Sequence, residues 1–372
     1  MVEYVIGTIE EKDEIVDFIN YVFSQAHRPH DFITLMPKSY GPNAKDLGAI
    51  HYMAKKDGKI KALVATRIIS VNVCGKLLKY GLIGNVSVHP YSRGEGYMKQ
   101  LMQMMLDDTK KRGVDILLLG GQRQRYGYFG FENAGAVFEY TVTKTNIRHC
   151  FGELDTSAIS FKPLEDEIDF AKALYERNMF HAIREKDEFY DIMHTWGREC
   201  RIIMKNKAPI GYMYGCFDEL ILEDESDFPL VMKAIFETDN LDTASVTAAP
   251  FMTARAELLS EICEGSSVKE VKMINILNYE SVLTAFFNMK SQLVSLQDGK
   301  ADFVIDGRAF EISVTDGTPE IKKTDSVKDG AIVLTHKKAQ EIFFSLKSLL
   351  LPSAQIKNWF PLPFMIDSPD GY

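Results

Sequence analysis

The sequence predicts an α/β (α+β) chain of more than one domain, in which one order of strands and helices occurs twice and a separate α+β unit follows. Three observations predict it. The chain has 372 residues, more than one ordinary core accommodates. A strand, a helix and a hairpin open the chain, and the same order returns after residue 158. Between the two lies Asn85-Val-Ser-Val-His-Pro-Tyr-Ser-Arg-Gly-Glu-Gly-Tyr-Met-Lys-Gln-Leu101, a strand, glycine turn and amphipathic helix in direct succession.

Tyr4 to Thr8 reads as a strand, and Glu11 to Phe23 as a helix with Ile15, Phe18, Ile19 and Val22 on one face. Ala26 to Asn43 is polar, with His27, His30 and Asp31 as loop side chains and at most a short helix. His51 to Lys56, the Asp57-Gly58 turn and Ile60 to Val73 predict a hairpin, and a second turn at Cys74-Gly75 leads into Leu77 to Ile83. Val86 and Val88 alternate with Ser87 at strand period until Pro90. Met98, Leu101, Met102 and Met105 recur at helical spacing, and Lys110, Lys111 and Arg112 precede a stop at Gly113. Val114 to Leu119 is an apolar run broken only by Asp115, the mark of a buried strand parallel to the one that holds Val86 and Val88.

The turn at Arg93, Gly94 and Gly96 carries the chemistry. Glycine lets backbone approach a ligand, the first N–H groups of a helix lack partners, and the helix dipole favours an anion; a phosphate or pyrophosphate is the expected occupant. A P-loop needs Gly-Lys-Ser/Thr at the end of the turn, and a dinucleotide fingerprint needs a third small residue where Lys99 stands. Neither pattern is present.

What fits is Val-x-Val-x-Pro-x-x-Arg-Gly-x-Gly, which resembles the acyl-CoA signature of the GNAT N-acetyltransferases. The resemblance departs at Met98, where Gly or Ala is usual, and a bulkier residue there is typical of the Eis-like branch (enhanced intracellular survival). It implies that Val86, Ser87 and Val88 pair through their backbone with the pantetheine arm of acetyl-CoA. Arg93, Gly94, Glu95, Gly96, Tyr97, Met98 and Lys99 surround the pyrophosphate, and Gly121 and Gln122 touch the arm. Tyr126 and Gly130-Phe131 match the Tyr-x-x-x-Gly-Phe element, which sets Tyr126 beside the thioester sulfur, with Tyr128 as its competitor. A phenol, with a pKa of about 10, keeps at neutral pH the proton that a departing thiolate needs.

By the same resemblance the chain divides into a catalytic GNAT domain at 1–150, a degenerate GNAT-like domain at 151–284 and a sterol-carrier-like domain at 285–372. Val137 to Thr143 is expected to close the first, with the boundary at Asn146 to Asp155. Ile159 to Lys162, Glu165 to Arg177, and the hairpin Arg201 to Met204 with Ile210 to Phe217 repeat the opening. Where a second cofactor turn would fall stands Glu223-Asp-Glu-Ser-Asp227; clustered carboxylates without glycine repel a diphosphate, so this unit is not expected to bind CoA. Val271 to Leu277 reads as the exit strand of the second unit. Tyr279 to Phe287, the hairpin Asp302 to Ile305 with Ala309 to Val314, the strand Ala331 to Thr335 and the helix His336 to Leu351 make up the third.

The resemblance implies direct transfer of acetyl from acetyl-CoA to a primary amine of a small polycationic molecule or a lysine, in a cytosolic homo-oligomer, a hexamer by family likeness. It also implies a use for the carboxylate of Tyr372, the last residue, at the end of the apolar, proline-rich tail Pro361 to Tyr372. The alternatives are an acyl-CoA sensor and a lipid-binding protein without transferase activity. A net charge of −9 disfavours nucleic acid and mildly favours cationic acceptors. No apolar run approaches the ~20 residues of a membrane span, and Met-Val-Glu-Tyr-Val opens without a basic region, so no membrane partner is expected. Cys74, Cys150, Cys200, Cys216 and Cys263 show no metal-ligand spacing, so no metal is expected and buried free thiols are the reading.

Overall fold

The β-branched and aliphatic runs that open the chain pair with one another in sequence order. In a computed structural model, residues 1–26, 28–44, 47–249, 251–350, 358–366 and 368–372 are described. His27 and Leu351, named above, lie outside them. Strands β1 (Val2–Ile6), β2 (Ile50–Lys56), β3 (Lys59–Val73) and β4 (Lys76–Val88) form an antiparallel meander. Helix α1 (Lys12–Ala26) covers one face with Ile15, Val16, Phe18, Ile19 and Val22, all buried. Helix α2 (Tyr97–Lys111) covers the other with Tyr97, Leu101, Met102 and Met105. β5 (Ile116–Leu119) then pairs parallel to β4, from Tyr80 opposite Ile116 to Ile83 opposite Leu119, and there the pairing ends. β4 runs on through Val88 with β3 alone, so the two strands diverge at Gly84.

The chain groups into two compact units, neither of them continuous: residues 1–134 with 272–364 and 372, and residues 135–271 with 365–371. This differs from the linear division at 150 and 284. Lys272–Ile276, expected as the exit strand of the second unit, is β7 of the first sheet; it lies between β5 and β6 (Glu132–Ala134), and the strand order is β1-β2-β3-β4-β5-β7-β6. Its residues Met273, Ile274 and Ile276 are as buried as Leu117 to Leu119, and a run that is apolar on both faces belongs in the middle of a sheet. Conversely Val137–Thr143, expected to close the first unit, pairs on both sides with Thr243–Ala248 and Gly265–Lys269 in the second. The expected boundary at 146–155 is occupied by the helix Lys144–Phe151, which buries Ile147 and Phe151, while the unit limit falls at Gly135, where φ is +77°.

The first unit also holds the C-terminal elements. Strands 318–324, 308–315 and 299–305 form an antiparallel meander, with Ile332–Leu334 parallel to the last. The helix expected from His336 to Leu351 stops at Phe344, where Ser345 turns extended. Its buried Gln340 donates to the carbonyl of Gly130 and accepts from the N–H of Ile276, both at 2.8 Å, so this helix is bonded to β7 and to the loop after Tyr126.

In the second unit, strands 219–222, 208–214, 200–205 and 159–163 form an antiparallel sheet, backed by the helix Phe228–Thr238. The run Glu223 to Asp227 is not merely solvated: Glu223 meets Arg177, Glu225 meets the buried Arg255, Asp227 meets Lys205, and Asp224 caps the N–H of Ser226. The cysteines are free, but only Cys200 is buried and Cys150 is exposed, because Cys150 lies on the solvent side of its helix. No helix among the described residues is long and apolar enough to cross a membrane.

The most heavily charged buried cluster is in this unit. The Arg184 guanidinium is 1 % exposed, stacks 3.6 Å from the centre of the Tyr175 ring, and makes two bonds to Glu219 (2.8 and 2.7 Å) and two to Asp370 (both 2.9 Å). Removal of one partner from a buried ion cluster leaves uncompensated charge and costs about 3–5 kcal/mol. Arg184→Ala is expected to destabilise the second unit by that amount. The chain has two tryptophans, one per unit, and urea unfolding followed by Trp196 emission in a Trp359→Phe background measures the loss.

Candidate active site

Pro90 ends the long strand by taking the first position of a short 3₁₀ turn, Pro90–Ser92. Gly94 and Gly96 follow with φ of +87° and +81°, a conformation that strains any residue with a Cβ, and a Cβ at either position would project into open space. Gly96 is the N-cap of α2 and offers no capping side chain. The first N–H groups of the helix, at Tyr97, Met98 and Lys99, therefore have no partner within it and face the turn. With the dipole of a 15-residue helix behind them, they form an anion cradle.

The cradle opens into a cleft of about 740 Å³ along the free edge of β4. Val86, Ser87, Val88, Arg93, Gly94, Gly96, Tyr97, Met98 and Lys99, all predicted, line it together with Val22, Phe23, Ser92 and Arg125. Those last four were not predicted. Val22 was assigned only to the apolar face of α1, and nothing in its spacing tells that the end of this face borders a cleft. Glu95 does not line the cleft, since it accepts from the Tyr97 hydroxyl at 2.6 Å and lies 3.7 Å from Lys56. Gly121 and Gln122 also stand outside the lining. Gly121, with φ of +137°, has Tyr126 against it, where a Cβ would come within 2.9 Å of the ring, and Gln122 starts the one-turn helix that carries Tyr126.

Tyr126 is 7 % exposed, packs in the same core cluster as Tyr97 and Leu119, and has a phenol pushed above its ordinary value by burial. It is protonated at neutral pH. The segment after it is fixed by a two-bond pair between Arg123 and the fully buried Glu132; burial raises its carboxyl, and Arg123, the Asn133 N–H and Lys337 together outweigh that, for a net shift downward. Tyr128 is 67 % exposed, with the Lys99 ammonium 4.9 Å from its ring centre, and is the less enclosed of the two phenols.

Where β4 leaves β5, the chain's last residue meets the sheet. The Tyr372 ring lies on Gly84, so close that a Cβ there would fall 1.7 Å from the ring. Its hydroxyl is 2.6 Å from that of Tyr40, which accepts a 2.7 Å bond from Asn85 Nδ2 and lies 2.8 Å from His51 Nε2. Asn85 holds this position with φ of +49°, at the irregularity in the β3–β4 register between Leu63 and Ala65. Burial raises both phenols and lowers the His51 imidazole to about 4. The structure thus brings Tyr372 to the strand divergence by its ring.

A family model for the acetyltransferase (GNAT) domain matches residues 4–134, the stretch that contains this cleft and Tyr126. The chain carries a GNAT acetyltransferase domain. By that domain it is an N-acetyltransferase. Solved structures match over nine-tenths or more of the chain: a GCN5-related N-acetyltransferase from Anabaena variabilis (15 % identity, 99 % of this chain and 98 % of that one, TM-score 0.69), a probable N-acyltransferase from Enterococcus faecalis (17 %, 92 % and 90 %, 0.68) and Eis1 from Mycobacterium abscessus (14 %, 98 % and 99 %, 0.67). At these identities the likeness is one of fold, and the fold is Eis-like. No curated protein matches the chain by sequence.

His51 sets an acid limit on this domain. The folded state keeps it neutral down to about pH 4, whereas the unfolded chain takes up a proton near pH 6.5. Its contribution is complete above pH 6.5 and is lost as the pH falls towards 4, by about 3 kcal/mol in all. Urea midpoints from pH 7 to pH 4 are expected to fall more steeply for the wild type than for His51→Gln, which has no proton to gain.

Proposed function

We propose that this domain transfers an acetyl group from acetyl-CoA directly to a primary amine, of a small polycationic molecule or a lysine, with both substrates bound at once. The observation that carries the reading is the continuity of one groove: an anion cradle at Gly94 and Gly96 opens along the unpaired edge of β4 and runs towards the divergence from β5. The cradle is vacant of side chains at two positions that a Cβ would fill, and its donors suit a diphosphate. Acetyl-CoA supplies the activated acyl group as a thioester.

The chain's own residues do the rest. The N–H groups of Gly94 to Lys99 hold the diphosphate, and the backbone of Val86 to Val88, without a partner on the β5 side, pairs with the amide-bearing arm. Tyr126 gives its phenolic proton to the departing thiolate, a role that requires the protonated state in which burial keeps it. Tyr372, whose ring lies on Gly84 at the divergence, stands in the same reading beside the incoming ammonium. Because Glu223, Glu225 and Asp227 are engaged with internal bases and no glycine stands in the run, the second unit is read as having no cofactor cradle of its own. A cytosolic location and a homo-oligomer, both implied by the resemblance, belong to the same reading.

Thiol release from acetyl-CoA across a panel of amines, with mass detection of the products, tests it. Coenzyme binding without transfer to any amine is the result that overturns it. Tyr126→Phe is expected to lower kcat by about 100-fold or more, with CoA affinity in calorimetry unchanged. Gly94→Val places a Cβ in a left-handed conformation and in the cradle; a CoA affinity about tenfold or more weaker is expected from backbone strain alone.

A further inference from the structure

Ile83, Leu119 and Met273 form one row across β4, β5 and β7, and all three point into the core under α2. Side chains alternate along strands, so the next row, Gly84, Gly120 and Lys272, points to the opposite face. That face is the one where the Tyr372 ring lies on Gly84. Lys272 leans back across β5, and its Nζ stands 3.6 Å from the place where a Cβ of Gly120 would be. Two glycines at the level where the strands part thus make room on this face, taken over Gly84 by the Tyr372 ring and beside Gly120 by a lysine amine.

This amine is unlike the lysines of the surface. Lys300 and Lys328 each meet a carboxylate and are exposed. Lys272 is half-buried and has no carboxylate partner among the described residues, and burial alone acts on it and pushes its ammonium below the ordinary range. A larger share of it is therefore the free amine, the form with a lone pair to attack a carbonyl.

We propose that Lys272 is itself an acyl acceptor, a self-acetylation site beside Gly120 where β4 and β5 part. The inference rests on the acetyl-CoA reading above. A bond forms between Nζ and the acetyl carbon, the carbon–sulfur bond breaks, the amine loses one proton and the thiolate gains one. Amine and thioester become amide and thiol, with no other reactant. The product is stable, removes a positive charge from the face that receives the amine, and occupies part of the room beside Gly120.

The test uses the full chain with acetyl-CoA and no added amine, followed by intact mass and peptide mapping over time. One acetyl mass is expected at Lys272 before Lys300 or Lys328 is modified, and it is expected to disappear in Lys272→Arg and to slow in Gly94→Val. A second measurement needs no coenzyme: limiting acetic anhydride at neutral pH should label Lys272 several-fold faster than those two surface lysines. Coenzyme binding and transfer to free amines with Lys272 unmodified overturns the inference and leaves the acetyltransferase reading intact. Failure to bind coenzyme overturns both, and a labelling rate no higher than that of the surface lysines also removes the claim of a reactive amine.

Discussion

The site depends on the end of hydrogen bonding between β4 and β5 after the row of Ile83 and Leu119. A buried backbone edge without a strand partner costs free energy unless another group satisfies it. Here that edge runs from Asn85 to Val88, and it is the wall of the cleft. The two positions just past the last pair are glycine, so no side chain closes the gap from within. Tyr372 lies on one of them, and the polar group of Tyr40, His51 and Asn85 holds its hydroxyl. The gap is therefore held open by packing on one face while its other face leads to the cradle.

Around this gap the supports come from elements distant in sequence. Glu132 holds Arg123, Gln340 ties the loop after Tyr126 to β7, and Asn275 donates to the carbonyl of Phe129 at 2.8 Å. Each is a charge-assisted or buried bond, the kind that rigidifies its surroundings when fully satisfied. Tyr126 is positioned by this frame.

Local periodicity made the meander, α1, the cradle and α2 legible, because each is encoded within about twenty residues by alternation, turn glycines or a helical stripe. Arg93 to Gly96 was legible for the same reason: two left-handed positions need glycine wherever they stand. The exchange of strands between the units was not legible. Val137–Thr143 and Lys272–Ile276 each read correctly as strands, but which sheet receives a strand is decided by long-range pairing, on which period-2 patterning is silent. Gly84 and Lys272 were missed for a related reason, since a glycine inside a strand and a lysine at the start of one acquire meaning only when the facing residue is known. Glu95 and Gln122 show what a motif leaves open: the side chain of Glu95 bonds to Tyr97 and leaves its backbone N–H to the turn, and Gln122 starts the helix that carries Tyr126.

The insertion of β7 also bears on synthesis. β5 has β4 on one side as soon as Leu119 has left the ribosome, but its other neighbour arrives only with Ile276, after residues 135–271 of the second unit have been made. At translation rates of about 5–20 residues per second, the apolar edge of β5 waits on the order of ten seconds for its partner. During that interval a nascent chain presents a bare strand edge, the feature that recruits holdase chaperones and seeds aggregation.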